Sequence, residues 1–276
     1  MKEIINLTLG KEVAYGHQYD SKLLVGIPRN LGRDAINLPV DLPFKGFDIW
    51  NCYELSWLNN KGKPSAKILQ FIVSAESECI IESKSVKLYL NSLNGSRFNN
   101  DQEVHNIIQK DLSNVAKSEV IVIMSNLEEV CSEMRIFDGV NIDGLDVNII
   151  DYEVNADLLA TLNGGKIVTE TLYSNLLKSN CLITNQPDWA SVQIKYSGRQ
   201  IDHESLLRYI VSFRHHNGFH EQCVERMFND IMQQCSPEKL NIHAKYTRRG
   251  GIDISPYRSN LSFKVSDISK TRDIRQ

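Results

Sequence analysis

The sequence predicts an α+β chain built from two similar halves. Two observations lead there. Each half reads strand, helix, Asn-Gly break, helix, strand, and a proline precedes the first strand of each half, Pro64 and Pro187. Self-similarity of this kind points to a duplicated unit, set against two α+β segments that look alike because short elements are few.

The elements follow in order. Pro28, Pro39 and Pro43 break up any long helix, so the first 60 residues read as irregular. Ile68–Val73 is a short apolar run of strand length. Ser83 to Leu93 turns helical, with Val86, Leu90 and Leu93 on one face, and Asn94-Gly95 ends it. Asp101 is expected to cap a second helix carrying Val104, Ile107, Ile108, Leu112 and Val115, followed by a strand at Glu119–Met124.

The second half repeats the order. Val192–Tyr196 alternates as a half-buried strand, Ser205–Phe213 is helical, Asn217-Gly218 breaks it, and Glu221–Met232 is the next helix. Lys239–Tyr246 is a strand and Arg248–Gly251 a turn. Glu82-Ser83 and Glu204-Ser205 read as matching helix starts. Asp143-Gly144 and Glu153–Thr169 are junction material, which gives modules at 1–140 and 141–276.

Composition narrows the function classes. The chain has 276 residues, 42% hydrophobic and 24% charged, an ordinary globular balance. Lys and Arg number 31 against 34 Asp and Glu, a formal net charge of −3, so no chain-wide basic footprint for nucleic acid exists. No run approaches the ~20 apolar residues of a membrane span. The six cysteines form no Cys-x-x-Cys pair and no zinc-ligand set, so a reducing, cytoplasmic setting is expected. Residues 1–11 carry charges and no signal-length apolar stretch.

Four places could carry chemistry. Cys181 and Asp188 flank a proline-bearing loop, a candidate nucleophile and acid, although most cysteines are inert core residues. Gly218-Phe219-His220-Glu221 opens a helix, where a carboxylate also suits the helix dipole. Tyr246 to Gly251 sets Arg248 and Arg249 before Gly250 and Gly251, a combination suited to phosphate, although taken alone it reads first as a solvated turn with surface charges. At Ile81–Tyr89, Ser83 can cap a helix whose open N–H groups, with Lys84 and Lys87, could hold an anion.

Glu82-Ser-Lys-Ser-Val-Lys-Leu-Tyr89 resembles the signature of the NADPH-dependent nitrile reductases that act on 7-cyano-7-deazaguanine. Cys181 through Asp188 and Gly218-Phe-His-Glu221 are similar to that family's other two motifs, in the order of its long, two-module form. The resemblance implies tandem tunnelling-fold modules, antiparallel sheets with helices on one face. It implies reduction of the nitrile to the primary amine, 7-aminomethyl-7-deazaguanine, in the biosynthesis of the tRNA modification queuosine, using two NADPH. Cys181 would form a covalent thioimide and Asp188 would be the proton donor. Ile81, Glu82, Ser83, His220 and Glu221 would bind substrate, and Ser83, Lys84, Arg249 and Gly250 would bind NADPH, with Arg248 left as an alternative to Arg249. It further implies a homodimer acting on a small deazapurine, with no resident metal, no direct nucleic acid and no membrane.

No Gly-x-Gly-x-x-Gly fingerprint exists in the chain, so composition and motif spacing alone do not suggest a dinucleotide. Two other readings stand beside the reductase. One is another tunnelling-fold purine or pterin enzyme such as a cyclohydrolase, which would need zinc. The other is a non-catalytic purine-binding protein, which would need no nucleophile. The remaining cysteines are expected to pack as small hydrophobes, and His215 and His216 to face solvent.

Overall fold

A computed structural model describes residues 16, 18–129, 133–269 and 271–276. Cys131 and residues 1–11 lie outside the described residues. In chain order the elements are β1 (Gly26–Pro28), α1 (Asn30–Asp34), β2 (Lys45–Leu58), β3 (Pro64–Ser74), β4 (Cys79–Ile81), α2 (Ser83–Ser92), α3 (Asp101–Ala116) and β5 (Val120–Ser125). Then come β6 (Glu133–Met134), β7 (Val140–Asn141), β8 (Ile167–Asn180), β9 (Pro187–Arg199), α4 (His203–Ser212), α5 (His220–Cys235), β10 (Lys239–Tyr246), β11 (Ile252–Ser259) and β12 (Thr271–Arg272). The class is α+β, and the long strands pair antiparallel.

Two compact units result, neither contiguous in sequence. The first holds the described residues of 1–31, 47–132 and 248–254; the second holds Gly32–Gly46, those of 133–247 and Ser255–Gln276. A single cut at 140/141 therefore differs from the contacts in three respects: residues 32–46 and 133–140 belong with the second unit, and residues 248–254 with the first.

In the first unit β5, β3 and β2 lie side by side, with β11 beyond β2. Leu69, Phe71 and Val73 of β3 point to the buried face with Val120 and Val122 of β5, while Ile121 and Ile123 are exposed, the period of two that a sheet covered on one face demands. The Trp50 and Phe71 rings stack at 5.1 Å. Helices α2 and α3 cover that face with Val86, Tyr89 and Leu90, and with Val104, Ile108 and Leu112. Asn100, not Asp101, caps α3, accepting from Glu103 N, and Lys117 closes it at φ 52°.

The second unit orders its strands β11, β10, β9, β8, β7. Ala190, Val192, Ile194 and Tyr196 of β9 and Leu240, Ile242 and Ala244 of β10 face the same core as Leu206, Ile210, Val224 and Phe228 of α4 and α5.

The duplication survives at atomic detail. The Tyr89 hydroxyl donates to Asp111 Oδ2 at 2.8 Å, and the Tyr209 hydroxyl donates to Asp230 Oδ2 at 2.7 Å, from matching positions of α2 and α3 and of α4 and α5. The ladder shifts register between Cys52 and Leu55 in one unit and between Ser174 and Leu177 in the other, equally far from the strand ends at Leu58 and Asn180. The caps of α2 and α4 are Glu82 and Asp202, so Asp202 is the counterpart of Glu82 and the pairing of Glu82-Ser83 with Glu204-Ser205 is two residues out.

Three stretches differ from the sequence reading. The first 60 residues are not irregular throughout: β2 is a 14-residue strand, buried on both faces over much of its length, so no alternation marks it. β8 begins inside the expected junction, and its register shift breaks the period of two. β11 contains Pro256, which argues against a strand on sequence, yet the whole strand is buried.

Candidate active site

The β8–β9 hairpin builds the first part of the site, within the second unit. Asn180 pairs with Pro187 and Ser179 with Asp188. Beyond them Cys181 N donates to Gln186 O at 2.8 Å, and Asn185 N, from a residue at φ 55°, donates back to Cys181 O at 3.0 Å. What reads as a proline-bearing loop is thus a tight hairpin end, with Pro187 at the first position of a strand, where its missing N–H is tolerated. Directly opposed residues share a face, as do residues two apart, so Cys181 and Asp188 sit diagonally on the core face of the ladder, a separation of roughly 7–8 Å between backbones.

A second segment is stitched to the same strand end. Asn180 N donates to His216 O at 2.8 Å and Gly218 N donates to Asn180 O at 3.1 Å. The Asn180 side chain donates to Asn217 Oδ1, and that of Asn217 to Asn185 Oδ1, both at 3.2 Å. These bonds hold the segment that leads into α5 against the end of β8. A Cβ on Gly218 would stand 2.9 Å from His216 Nε2 and 3.5 Å from Cys223 Sγ, so glycine is what this close approach admits.

Helix α5 opens with His220 and Glu221. His220 Nε2 lies 3.7 Å from Asp188 Oδ2, and its ring stands edge-on to Tyr246 at 3.9 Å between centroids. Asp188 is buried and Glu221 is only 2% exposed, the latter in the first helical turn where the dipole favours a carboxylate. Beneath them lie Ser179, Cys223 and Tyr246. Burial first, helped by the charges of Asp188 and Glu221, pushes the Cys223 thiol up to about 12, although Ser179 and Tyr246 pull the other way.

The thiols separate cleanly. Cys52, Cys79, Cys223 and Cys235 are buried, and burial raises the pKa of each, so they stay as inert thiols. Among the described cysteines Cys181 alone is not buried.

The other expected residues belong to the first unit. Glu82 is buried and caps α2: its carboxylate accepts from Lys84 N at 2.8 Å and from Ser85 N at 2.7 Å. Burial raises its pKa, against the pull of those bonds and of the Lys84 and Arg249 charges. Ser83 is therefore the first helical residue rather than the cap, and the N–H groups of Lys84 and Ser85 are not open to an outside anion. Ile81 ends β4, buried. The turn Arg249-Gly250-Gly251-Ile252 is closed by Arg249 N to Ile252 O at 2.9 Å, with φ of 61° and 75° at the two glycines, as a two-residue type I′ hairpin requires. A Cβ on Gly250 would lie 2.8 Å from Lys87 Nζ. Arg248 stacks on Tyr53 at 3.8 Å from the ring centroid.

Sequence reasoning missed Ser179, Cys223 and Tyr246, which look like ordinary strand and helix residues, and Asn180 and Asn217, whose role appears only in the stitching. The two units also differ here. Leu58 N donates to Ser96 O and Phe98 N to Leu58 O, both at 2.9 Å, the counterpart of the Asn180 stitching. The residue after Leu58 is Asn59, so the first unit carries an amide where the second carries the Cys181 thiol.

Comparison with known families decides between the readings. Residues 15–124 match the family described as nitrile reductase, 7-cyano-7-deazaguanine-reductase N-term, and residues 187–264 match the QueF-like protein family. This chain belongs to the 7-cyano-7-deazaguanine nitrile reductase family. It is an oxidoreductase in two modules. The first match contains Ile81 to Lys84; the second contains Asp188, His220, Glu221, Arg249 and Gly250 and starts just after Cys181. Among solved structures, the archaeosine synthase QueF-Like in the apo form is 17% identical, covering 35% of this chain and 96% of that chain at a TM-score of 0.31. No helix among the described residues is long and apolar enough to cross a membrane.

Proposed function

We propose that this nitrile reductase converts 7-cyano-7-deazaguanine to 7-aminomethyl-7-deazaguanine at the expense of two NADPH and two protons, through a thioimide on Cys181. The observation that carries the reading is the one thiol not buried among the described cysteines, on the same hairpin face as a buried carboxyl group that a histidine approaches to 3.7 Å.

The Cys181 thiol adds across the nitrile: the C–S bond forms as one C≡N π bond opens, and the S–H proton passes to the nitrogen. A thioimide accepts hydride far better than a nitrile, so one hard step becomes two easier ones. Asp188 delivers the two protons that the nitrogen takes up during reduction, in the course of which the C–S bond breaks and the thiol is restored, and its burial keeps the carboxyl group out of bulk water. His220, held against Tyr246, orients Asp188 and borders the substrate. Glu221, with its charge sheltered, accepts N–H groups from the guanine-like edge, a strong charge-assisted pairing. Ile81, Glu82 and Ser83 are assigned to substrate on family resemblance, and in Glu82 each carboxylate oxygen keeps a second lone pair beyond its capping bond.

The residues assigned to the reductant fit an anionic group through side chains rather than helix N–H groups, because Glu82 already occupies the start of α2. Lys84 and Arg249 supply charge, Ser83 a hydroxyl, and Gly250 a surface without a Cβ that backbone and phosphate can approach, with Lys87 beside it. Arg249 is assigned the phosphate in preference to Arg248, which is engaged on Tyr53. When bound, NADPH supplies hydride.

The enzyme is placed in queuosine biosynthesis, as a cytoplasmic homodimer that handles a free base and no nucleic acid. The test is oxidation of NADPH at 340 nm on mixing with the cyano substrate, with mass spectrometry of the protein trapped without reductant. An adduct on Cys181 and two NADPH per amine are expected; turnover by Cys181→Ala would overturn the assignment.

A further inference from the structure

The strand Lys239–Tyr246 alternates apolar and polar residues, which predicts one face on the core and one in water. Its core face obeys. Its other face does not: His243 is 6% exposed and Lys245 4%. What covers them, within the second unit, is residues 135–138 and the C-terminal segment around Ile268 and Thr271, and between these and the sheet lies a cavity of about 420 Å³.

The register lays out its floor. Gln193, His243 and Tyr257 stand in one row across β9, β10 and β11, with Asn241 opposite Lys195 in the next row and Lys245 beyond on the other side. Arg135 and Phe137 line the opposing wall. Lys245 Nζ donates to Thr271 Oγ1 at 2.9 Å and lies 4.9 Å from the centre of the Phe137 ring. The lining carries Arg135, Lys195 and Lys245 against one acid, Asp138, which already accepts a bond from the Gln193 amide. The buried His243 Nε2 makes no hydrogen bond among the described residues, an arrangement that is costly unless a partner arrives. Burial, with the Lys245 charge nearby, lowers the His243 pKa to about 3, so the ring is neutral and offers one donor and one acceptor.

We infer that this cavity binds a small phosphorylated aromatic anion of mononucleotide size. Its volume falls within the ~300–1,000 Å³ of ligand sites. The cations suit a phosphate, and the rings of Phe137 and Tyr257 with the Asn241 amide suit a flat base. The site is separate from the Cys181 hairpin: it uses the odd-numbered residues of β9 and β10, whereas Asp188 and Tyr246 lie on the even-numbered face.

Calorimetric titration of the full chain with adenosine and guanosine 5′-monophosphates, the two nucleosides and inorganic phosphate tests this. At least one nucleotide is expected to bind about tenfold or more tighter than its nucleoside and than phosphate, a difference of about 1.4 kcal/mol. Lys245→Met and the exposed Lys195→Glu should each weaken it about tenfold or more, while Glu221→Gln in the proposed substrate site leaves it unchanged. The inference is overturned if no nucleotide binds at millimolar concentration, if nucleosides or phosphate bind equally well, or if Lys195→Glu and Lys245→Met are without effect. Binding lost in Glu221→Gln alone would place the nucleotide in the substrate site and also overturn it.

Discussion

Ser179 faces Asp188 across the β8–β9 ladder, and that pairing places the acid on the same side of the hairpin as Cys181. Because side chains alternate with a period of two, a slip of one residue would send the carboxyl group to the opposite face. Deleting Ile183 from the turn should therefore abolish reduction while circular dichroism and the unfolding midpoint show that the sheet persists. Retained turnover would mean that the register does not organise the site.

Cys181 should be the first thiol to react. Brief treatment with iodoacetamide at pH 7.5, followed by peptide mass spectrometry, is expected to modify Cys181 well before Cys52, Cys79, Cys223 and Cys235, whose burial holds them as thiols. Asp188→Asn should separate the two stages: the thioimide still forms, while NADPH oxidation falls by roughly 10²–10⁴-fold. Normal turnover in that variant would remove Asp188 from the acid role.

Glu225 is buried and paired with Arg33 at 2.8 Å and with the fully buried Arg258 at 2.9 Å. Removing the carboxylate leaves a buried guanidinium without its counter-charge, so Glu225→Ala should cost about 3–5 kcal/mol in urea unfolding. A loss below 1 kcal/mol would show that water or rearrangement replaces the carboxylate.

Acid should weaken the fold before carboxylates titrate. Burial, with the Arg226 charge opposing protonation and Glu153 favouring it, lowers the His216 pKa from the usual 6.5 to about 4. The unfolded chain then takes up the proton first, so the stability tied to a neutral His216 is whole above pH 6.5 and is lost as pH falls toward 4, at most about 3 kcal/mol. The expectation that both histidines face solvent fails at His216, which packs edge-on to Phe213, and holds at His215, 60% exposed. The urea midpoint of His216→Leu should vary less between pH 6.5 and 4.5 than that of the parent; His243, with the same sign of shift, leaves a residual slope.

Asp230 accepts a buried bond from Tyr209, and Tyr209→Phe should cost about 1–3 kcal/mol by leaving that carboxylate short of a donor. Tyr89→Phe, its counterpart on Asp111, should cost less, because the Tyr19 hydroxyl donates to the same Asp111 oxygen at 2.7 Å and keeps it satisfied.

The sequence by itself determined the two-fold repetition, the helices that bear apolar stripes, the strand Lys239–Tyr246 and the resemblance to the nitrile reductases. Those are local or periodic properties, written in the spacing of apolar residues and in short runs such as Glu82-Ser83-Lys84 and His220-Glu221. Tertiary structure decided what depends on partners distant in the chain: β2, buried on both faces; β11, which keeps its proline; the stitching of Asn217 and Gly218 onto Asn180 that brings His220 to Asp188; and the covering of His243 and Lys245. Burial is a property of what packs above a residue, and a strand's own alternation carries no record of it.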